Sequence, residues 1–565
     1  MARIAIIGAG QSGGQLALGL LRHGHEVTLV SDRTPEEIRA GNVMSSQCMF
    51  ASSLAIERDL GIDTWADDCP KIGSIAVSMK GDAPYEWSSP LAAPAQSVDQ
   101  RLKCAAWIEE VVDQGGSLVT HAADIASLEE CARTHDLVVV ATGRSDLGRL
   151  FHPDPSKSHF DRPQRALALA YVTGMQPRVD GATVSFTIIP GVGEYSTCPA
   201  LTTSGPCDIM MFSGVPGGPL DCWDDVVEPE QHLSRSLELL QRFVPEEFER
   251  CGRVSLTDRG GVLRGRLTPQ VRVPVAKLPS GRAVLGMGDA VALVDPLTGQ
   301  GVNLAAHAAS YYLDSIVRQR SNEFDEAWMR RTFETFWRSW AQWVVEWTDT
   351  MLNPSAHQAG LMAEAAENPE LAAAIANGYD DPRQFFPWWF DPDAAARFRA
   401  KKLAARRPRF EPRDLRRALG QYATGVTVVT ARNPTGRKVG MTVNSFTSVS
   451  VDPPLVLWCP GKNAPSLPDF SEATHFAVNI LGADQEHLAR QFSTPAPNKF
   501  AELELVEGAG GTPVLPGAVA QFECRTVQCL DAGDHMIFIG EVERFQAPGG
   551  APLIFHAGAL RPLSD

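Results

Sequence analysis

A glycine-rich loop near the N-terminus has the spacing of a nucleotide-binding motif. Gly8, Gly10 and Gly13 follow a short apolar run and precede a predicted helix that ends at Gly24. In a strand–loop–helix unit, such glycines allow a tight turn and let the backbone approach a pyrophosphate at the helix N-terminus. The loop therefore predicts a bound dinucleotide such as FAD.

An acidic residue closes the next predicted strand. Asp32 lies about 20 positions beyond the loop, where dinucleotide-binding units carry the carboxylate that contacts a ribose hydroxyl. The alternative is that Asp32 caps the following turn. We predict a ribose contact for Asp32.

A second nucleotide signal comes late in the same half of the chain. A Gly-Asp pair that ends in Asp289 follows a predicted strand, where its carboxylate can contact ribose or ribityl hydroxyls. The Gly-Gln-Gly turn at 299–301 opens a helix, and its N–H groups would stabilise negative charge on a reduced flavin and on a peroxide leaving group. Helix capping by Asp289 or Asn303 is the alternative. The predicted contacts are Asp289, Gly299, Gln300, Gly301, Val302 and Asn303, and Gln300 is also a catalytic candidate.

A polar run of a different kind lies far downstream. Thr442, Asn444, Ser445 and Ser448 precede Pro453 and a second proline. Hydroxyl and amide groups at alternate strand positions suit the phosphate and ring edges of a flavin. A polar edge strand with a turn would explain any one of them alone. The run predicts a second, separate flavin site.

Composition limits the class of protein. The 565 residues are 44% apolar and 21% charged, as in soluble globular proteins of several domains. A net charge of −16 argues against binding to nucleic acid. There is neither an apolar run of about 18 residues nor a signal-peptide pattern, so we expect a cytoplasmic protein without a membrane span. Eleven cysteines without C-x-x-C pairs predict free thiols and no metal site.

Apolar periodicity predicts the domain order. Continuous apolar strands separated by helices predict a parallel sheet with both faces buried. Alternating runs then predict an antiparallel substrate domain, and helices follow. An aromatic stripe at helical spacing, Phe333 to Trp347, is predicted to be core. The predicted boundaries are nucleotide-binding parts at about 1–160 and 275–330, a substrate domain at about 161–274, helices at about 331–405, a linker at 406–412, and an all-β domain at 413–565.

The first 400 residues resemble the epoxidase component of styrene and indole monooxygenases, relatives of the hydroxybenzoate-hydroxylase fold. The matching stretches are residues 8–13, 31–33, 98–102, 141–144, 146–151, 163–167 and 286–303. The resemblance implies an α/β FAD-binding fold with a Rossmann-type nucleotide domain and an antiparallel-sheet substrate domain. It also implies reduced FAD, a C4a-hydroperoxide formed with O2, and oxygen transfer to an aryl alkene. Arg33, Arg101 and Gly143 join the predicted FAD contacts on this ground.

One segment departs from that family pattern. The epoxidases place an arginine and an asparagine beside the flavin after the second strand. The corresponding segment, residues 41–47, is two residues longer here than in the epoxidases. Asn42 and Ser45 lie near the positions of that arginine and asparagine. Asn42 and Ser45 are therefore catalytic candidates.

Residues from about 410 onward resemble the NADH-dependent flavin reductases that serve two-component monooxygenases. The run at 440–450, Lys499 with Phe500, and a Gly-Asp-His motif containing Asp534 and His535 carry this resemblance. It implies an all-β split-barrel domain that pairs as a homodimer. The resemblance favours a place beside the nicotinamide for His535, and a structural histidine is the alternative.

The two resemblances together predict a self-sufficient monooxygenase. The C-terminal module reduces FAD with NADH, and the N-terminal module uses reduced FAD and O2 to epoxidise styrene- or indole-type alkenes. The alternative is mainly an NADH:FAD oxidoreductase with weak epoxidase activity that supplies reduced flavin or peroxide. A separate epoxidase that receives reduced FAD is a candidate partner.

Overall fold

The computed structural model describes residues 1–143, 146–178, 181, 183–319, 323–406, 412–494, 496, 498–501 and 503–563. The chain divides into two compact units, Met1–Ala404 and Ala405–Asp565. Residues 407–411, most of the predicted linker, lie outside the described residues. No helix in the described ranges is long and apolar enough to cross a bilayer.

The strands of the first unit form two large sheets. In chain order they are β1 (Arg3–Ile7), β2 (Glu26–Ser31), β3 (Ile72–Met79), β4 (Tyr85–Ala95), β5 (Ser117–Thr120), β6 (Leu137–Val140), β7 (Ala166–Thr173), β8 (Thr183–Ile189), β9 (Gly193–Thr202), β10 (Gly205–Gly214), β11 (Ser255–Leu256), β12 (Val262–Arg266), β13 (Gln270–Val271), β14 (Val275–Lys277), β15 (Ala283–Gly286) and β16 (Ala292–Leu293).

Helices cover both sheets. They are α1 (Gln11–Arg22), α2 (Pro35–Ala40), α3 (Ala51–Asp59), α4 (Gln100–Asp113), α5 (Ile125–Thr134), α6 (Pro229–Phe243), α7 (Pro245–Glu249), α8 (Gly301–Arg318), α9 (Glu326–Phe336), α10 (Gln342–Leu352), α11 (Ala356–Glu364), α12 (Pro369–Gly378) and α13 (Pro392–Arg406). A π-helical turn, Trp337–Ala341, joins α9 to α10.

The first sheet is mainly parallel. Its six strands run in the order β14-β15-β6-β1-β2-β5, and only the edge strand β14 is antiparallel. Ile4, Ile6 and Ile7 of β1 are almost completely buried because helices cover both faces of the sheet. The predicted parallel sheet is therefore present.

The second sheet has eight strands, in the order β11-β7-β10-β9-β8-β3-β4, with β12 also paired to β7. Strands β3 and β4 belong to this sheet, so the prediction that all of residues 1–160 belong to the nucleotide-binding part is corrected. β3 pairs in parallel with β8, as in Ser74 opposite Thr183, and this long-range pairing leaves no local signal. Trp87 of β4 packs into the same core as Trp347.

The aromatic stripe is core, as predicted. Phe333, Trp337, Trp340 and Trp347 are buried, and Trp343 is partly buried. Trp347 stacks on Phe385 with ring centroids 4.6 Å apart. Through this stripe, α9 and α10 pack into the hydrophobic cores that contain the two sheets.

The second unit is mostly antiparallel β structure. Its strands are β17 (Thr424–Gly425), β18 (Thr427–Arg432), β19 (Lys438–Val443), β20 (Thr447–Val451), β21 (Pro454–Trp458), β22 (His475–Ile480), β23 (Val506–Glu507), β24 (Pro513–Val514), β25 (Ala520–Ala532), β26 (His535–Gln546), β27 (Leu553–His556) and β28 (Ala559–Pro562). Its helices are α14 (Pro412–Leu419), α15 (Leu467–Glu472) and α16 (Glu486–Ser493). The main sheet runs β19-β18-β22-β25-β26-β21-β20, with β17, β27 and β28 in a smaller one.

A buried histidine in the first unit generates a pH prediction. His232 of α6 stacks on Trp223 with ring centroids 4.6 Å apart. Burial, together with the nearby charge of Arg264, lowers the pKa of His232 from 6.5 to about 4. As pH falls, the unfolded chain therefore takes up this proton before the folded chain does. The stabilising contribution is complete above pH 6.5 and is lost as pH falls towards 4.

We expect His232→Phe to reduce the loss of folding stability as the pH falls. Phenylalanine keeps a ring on Trp223 but binds no proton. The variant should gain stability relative to the parent by on the order of 1 kcal/mol per pH unit between pH 6.5 and 4. Denaturant unfolding measured across that range checks this, with the exposed His23→Phe as control. A difference between variant and parent that does not change with pH contradicts it.

Candidate flavin and oxygenation sites

Three chain segments meet at the carboxyl edge of the parallel sheet. Gly8 follows β1, Gly143 follows β6, and Asp289 follows β15. A Cβ atom on Gly143 would stand 2.4 Å from the Cβ of Asp289, so the two residues are in direct contact. Carboxyl edges of parallel sheets are where α/β proteins bind ligands. Arg144, next to Gly143, lies outside the described residues.

Each glycine of the N-terminal loop has a distinct environment. Gly8 has a φ of +111°, which favours glycine, and a Cβ on Gly13 would lie 1.9 Å from the Gly8 carbonyl oxygen. A Cβ on Gly10, by contrast, would meet nothing within 4 Å. Gly10 is also the N-cap of α1 and supplies no capping side chain. The first N–H groups of α1 therefore face open space suited to an anion.

Asp32 lies at the end of the neighbouring strand β2, where it is exposed and lines the cavity described below. Thr34, not Asp32, caps α2, in a capping box with Glu37. Thr34 therefore has the capping role that was the alternative for Asp32. Arg33 also lines the cavity, and its Nε lies 3.5 Å from the Asp32 carboxylate.

The turn before α8 brings a second helix N-terminus to the same place. Gly299 adopts a φ of +65°, and Gln300 caps α8 without a side-chain hydrogen bond. A Cβ on Gly301 would have no atom within 4 Å. Gly299, Gly301 and Val302 line the cavity. The backbone of this turn, rather than its side chains, faces the open space.

The amides of Gln300 and Asn303 point elsewhere. Gln300 is buried and donates to the Tyr379 carbonyl, and Asn303 accepts from Phe50 N–H while donating to the Cys48 carbonyl. Neither residue lines the cavity. The catalytic role predicted for the Gln300 side chain therefore has no geometric support. Asn303 instead fixes the start of α3.

These segments line one cavity of about 1160 Å³. It is bounded by the Gly8 loop, β2, residues 42–47, α8, and apolar residues of the second sheet. Burial raises the pKa of Cys104, at its wall, to about 12, so this thiol is not a nucleophile at neutral pH. Burial likewise raises the pKa of Asp295, which precedes the wall residue Pro296, to about 6.

The segment that departs from the epoxidase pattern forms part of the cavity wall. Asn42 and Ser45 both line it. Val43 N–H donates to the Gly260 carbonyl, and the buried Tyr171 hydroxyl donates to the Ser45 carbonyl. These bonds hold the segment at both ends. Gln47, for which the sequence predicts no role, is buried in the same wall.

Arg101 does not line the cavity, which corrects its predicted FAD contact. Its guanidinium is buried and pairs with Asp99 and Asp258. It also donates to the Gly41 carbonyl at 3.1 Å, so it holds the residue before Asn42. The neighbouring Gln100 lines the cavity instead.

Three predicted residues of the second unit form a cluster. Lys499 Nζ donates to the carbonyls of Gly440 and Phe492, and burial lowers its pKa. Phe500 packs edge-on against Phe492 with ring centroids 5.1 Å apart. Thr442 Oγ1 donates to the Ala489 carbonyl. The polar atoms of Lys499 and Thr442 thus support the fold.

The remaining predicted residues differ in exposure. Asn444 and Ser448 are exposed, whereas Ser445 Oγ accepts from Cys459 N–H and donates to its carbonyl. The loop that contains Cys459 continues to Gly461, which forms a β-bridge with His535. Ser445 and His535 therefore contact the same short loop.

His535 follows the turn between β25 and β26. Its side chain is 48% exposed, and its Nδ1 lies 2.8 Å from the carboxylate of Asp534, which is 94% exposed. The bond to Asp534 orients the imidazole, while its exposure leaves it accessible. The bond to Asp534 also fits the alternative of a structural histidine, so the place beside the nicotinamide stays a prediction.

Known proteins match both halves of the chain. Residues 419–564 match the flavin reductase like domain family, and residues 143–250 match the substrate binding domain of styrene monooxygenase A. Residues 3–52 match the coenzyme F420-dependent NADP oxidoreductase family.

Three relatives show how far these matches extend. StyA, a styrene monooxygenase of Pseudomonas fluorescens, is 30% identical over 316 residues, 54% of this chain and 75% of the relative. SmoA, an FMN reductase (NADH) of Agrobacterium fabrum, is 53% identical over 152 residues, 27% of this chain and 86% of the relative. An NADH-dependent FAD reductase of Streptomyces globisporus is 42% identical over 160 residues, 27% of this chain and 87% of the relative.

The chain belongs to the styrene monooxygenase family and carries its own flavin reductase domain. It is a flavin-dependent monooxygenase that uses FAD and NADH, and the two resemblances seen in the sequence are confirmed. Because this chain carries both the monooxygenase and the flavin reductase, it is a self-sufficient monooxygenase.

Substitutions of Gly10 and Gly13 separate an effect on FAD binding from an effect on folding stability. Gly10→Ala should leave the unfolding free energy within about 0.5 kcal/mol, because the backbone there suits alanine and the added methyl meets open space. The methyl would occupy the space that a cofactor phosphate must enter, so FAD affinity at one site should fall about tenfold. Calorimetric titration and thermal melting measure both effects.

Gly13→Ala is the matched control for folding. Its methyl would collide with a backbone oxygen of the loop, so we expect a loss of about 1–3 kcal/mol in stability. Unchanged FAD binding in Gly10→Ala at intact stability would contradict a pyrophosphate at this loop.

Proposed function

We propose that the cavity of the first unit holds FAD in a Rossmann-type, hydroxybenzoate-hydroxylase-like arrangement. The pyrophosphate would lie at the N-terminus of α1, where Gly10 leaves room, and the ribose beside Asp32. The cavity exceeds the roughly 300–1,000 Å³ usual for a single ligand, so it has room for cofactor and substrate. The open space at Gly10 and Gly301 and the two uncapped helices support this fit.

FAD, when bound, supplies the redox chemistry of oxygen activation. The residues of the chain supply binding, orientation and exclusion of water. The N–H groups of Gly301 and Val302, at the start of α8, would bind the negatively charged edge of the reduced ring. Asn42 and Ser45, on a wall held by Arg101 and Tyr171, would border the reacting side.

The substrate in this proposal is an aryl alkene. Leu167, Leu169, Met211 and Leu263 give the cavity an apolar wall. Gln47 is buried in the cavity wall beside the Tyr171 hydroxyl. An amide oxygen in that wall can accept a hydrogen bond, so it suits a substrate that carries a ring N–H, as indole does.

In the second unit, we propose that Asn444 and Ser448 contact flavin and that His535 lies beside the nicotinamide. The exposure of all three supports this assignment. Thr442, Ser445, Lys499 and Phe500 would then shape the flavin cradle rather than bind through free polar atoms.

We also propose a split-barrel homodimer through the second unit. Large apolar side chains are exposed there, including Tyr422 at 76%, Val451 at 92% and Phe545 at 71%. Exposed apolar side chains of this size favour a covered interface.

The observation that carries the proposed function is the presence, in one chain, of the cavity with two helix N-termini and of a reductase domain. Aerobic incubation with NADH, FAD and either styrene or indole tests it. Product formed without an added reductase is expected, in a fixed ratio to the NADH consumed. NADH consumption that yields only hydrogen peroxide with both substrates would contradict it.

Substitutions should separate the two activities. Asn444→Ala and His535→Ala should each slow NADH oxidation about tenfold or more, because they remove groups of the reductase site. Oxygenation with FAD reduced chemically beforehand should persist. Gly301→Val should lower oxygenation and leave NADH oxidation intact, because the valine side chain would fill the space at the start of α8. Thr447→Ala, an exposed neighbour on β20, is the control. Loss of both activities in any one of these variants contradicts the division.

A further inference from the structure

A buried polar network lies directly behind the Gly8 loop. The Lys103 ammonium bonds both carboxylate oxygens of Glu57, at 2.8 and 2.9 Å, and both side chains are nearly inaccessible. Glu57 in turn accepts from the Gln11 amide at 2.8 Å. Gln15 continues the network to the Ala306 carbonyl of α8. Helices α1, α3, α4 and α8 are thereby connected.

The network determines how the Gln11 amide is oriented. Glu57 is held by a cation and can only accept, so the nitrogen of the Gln11 amide must face it. The same nitrogen donates to Gln15 Oε1 at 3.2 Å. The Gln11 carbonyl oxygen must then point away from both. Gln11 cannot turn its amide over without placing an oxygen against a carboxylate.

That carbonyl oxygen has no hydrogen-bond partner in the part of the chain that the structure describes. Gln11 is only 5% exposed, and it lines the cavity. An unpaired buried acceptor is costly, and the buried ion pair behind it adds a desolvation cost of its own. Such an arrangement fits an acceptor kept ready for a donor that arrives with a ligand.

We propose that the Gln11 carbonyl oxygen accepts a hydrogen bond from a ribityl hydroxyl of FAD, and that the Lys103–Glu57 pair is the positioning device for it. This inference rests on the proposed function. The phosphate oxygens of FAD only accept at neutral pH, so they cannot satisfy Gln11. The ribityl chain joins the pyrophosphate to the ring and carries hydroxyl donors. Gln11, at the first turn of α1, lies where that chain would pass between the two helix N-termini.

Gln11→Leu in the full chain removes the acceptor at nearly constant volume. Calorimetric titration with oxidised FAD should resolve two sites per chain, one in each unit. We expect affinity at one site to fall about tenfold, as the loss of one buried hydrogen bond predicts, and the other site to be unchanged. Gln114→Leu is the control, because it makes the same change of side chain outside both the network and the cavity. Equal affinity in Gln11→Leu and the parent overturns the inference.

A second measurement begins with the parent chain and removes the donor instead of the acceptor. FAD analogues that each lack one ribityl hydroxyl are titrated into the parent chain. One analogue should bind about tenfold more weakly at the affected site, and Gln11→Leu should bind this analogue and FAD equally. Losses that simply add, or no loss with any analogue, overturn the inference. If only one FAD binds per chain and Gly10→Ala does not affect it, the proposed function itself is wrong, which is a different result.

Discussion

The electrostatics of two helix N-termini at one cavity organise the first unit. α1 and α8 both begin at this cavity, and neither has a capping side chain. The first N–H groups of a helix lack partners within the helix and carry partial positive charge. Two such ends at one cavity favour a ligand with acceptors at two separated points. A dinucleotide with an anionic pyrophosphate and a ring that gains negative charge on reduction has that form.

Buried charges keep this arrangement rigid. Arg101 pairs with Asp99 and Asp258 and holds the Gly41 carbonyl, so it connects α4 to the segment that carries Asn42. The Lys103–Glu57 pair does the same for α4 and α3, and Gln11 joins α1 to Glu57. Buried ion pairs contribute little net stability compared with apolar packing, but removing one partner is strongly destabilising. Their value here is geometric, since each fixes one wall of the cavity.

The parts of this architecture that are local in sequence could be predicted, and those that depend on distant contacts could not. The Gly8 loop and the 299–303 turn are each a strand, a turn and a helix within a few residues, so their glycines reveal them. Arg101 was misjudged because its direction is set by Asp258, which lies 157 positions away. The place of β3 depends on β8 in the same way. Gln11 is hidden inside the motif, and its role depends on Glu57, 46 positions later.

The two proposed flavin sites differ in exposure. In the second unit, the proposed contacts Asn444 and Ser448 are exposed and His535 is half-exposed, so flavin bound there would be able to leave. The cavity of the first unit is instead lined by several segments of the chain, among them the N-terminus of α8. Negative charge gained on reduction strengthens the interaction with that helix end, whereas the oxidised ring gains nothing from it. With FAD bound as proposed, reduction on the second unit would therefore favour binding in the first, and this difference in affinity would give the transfer its direction.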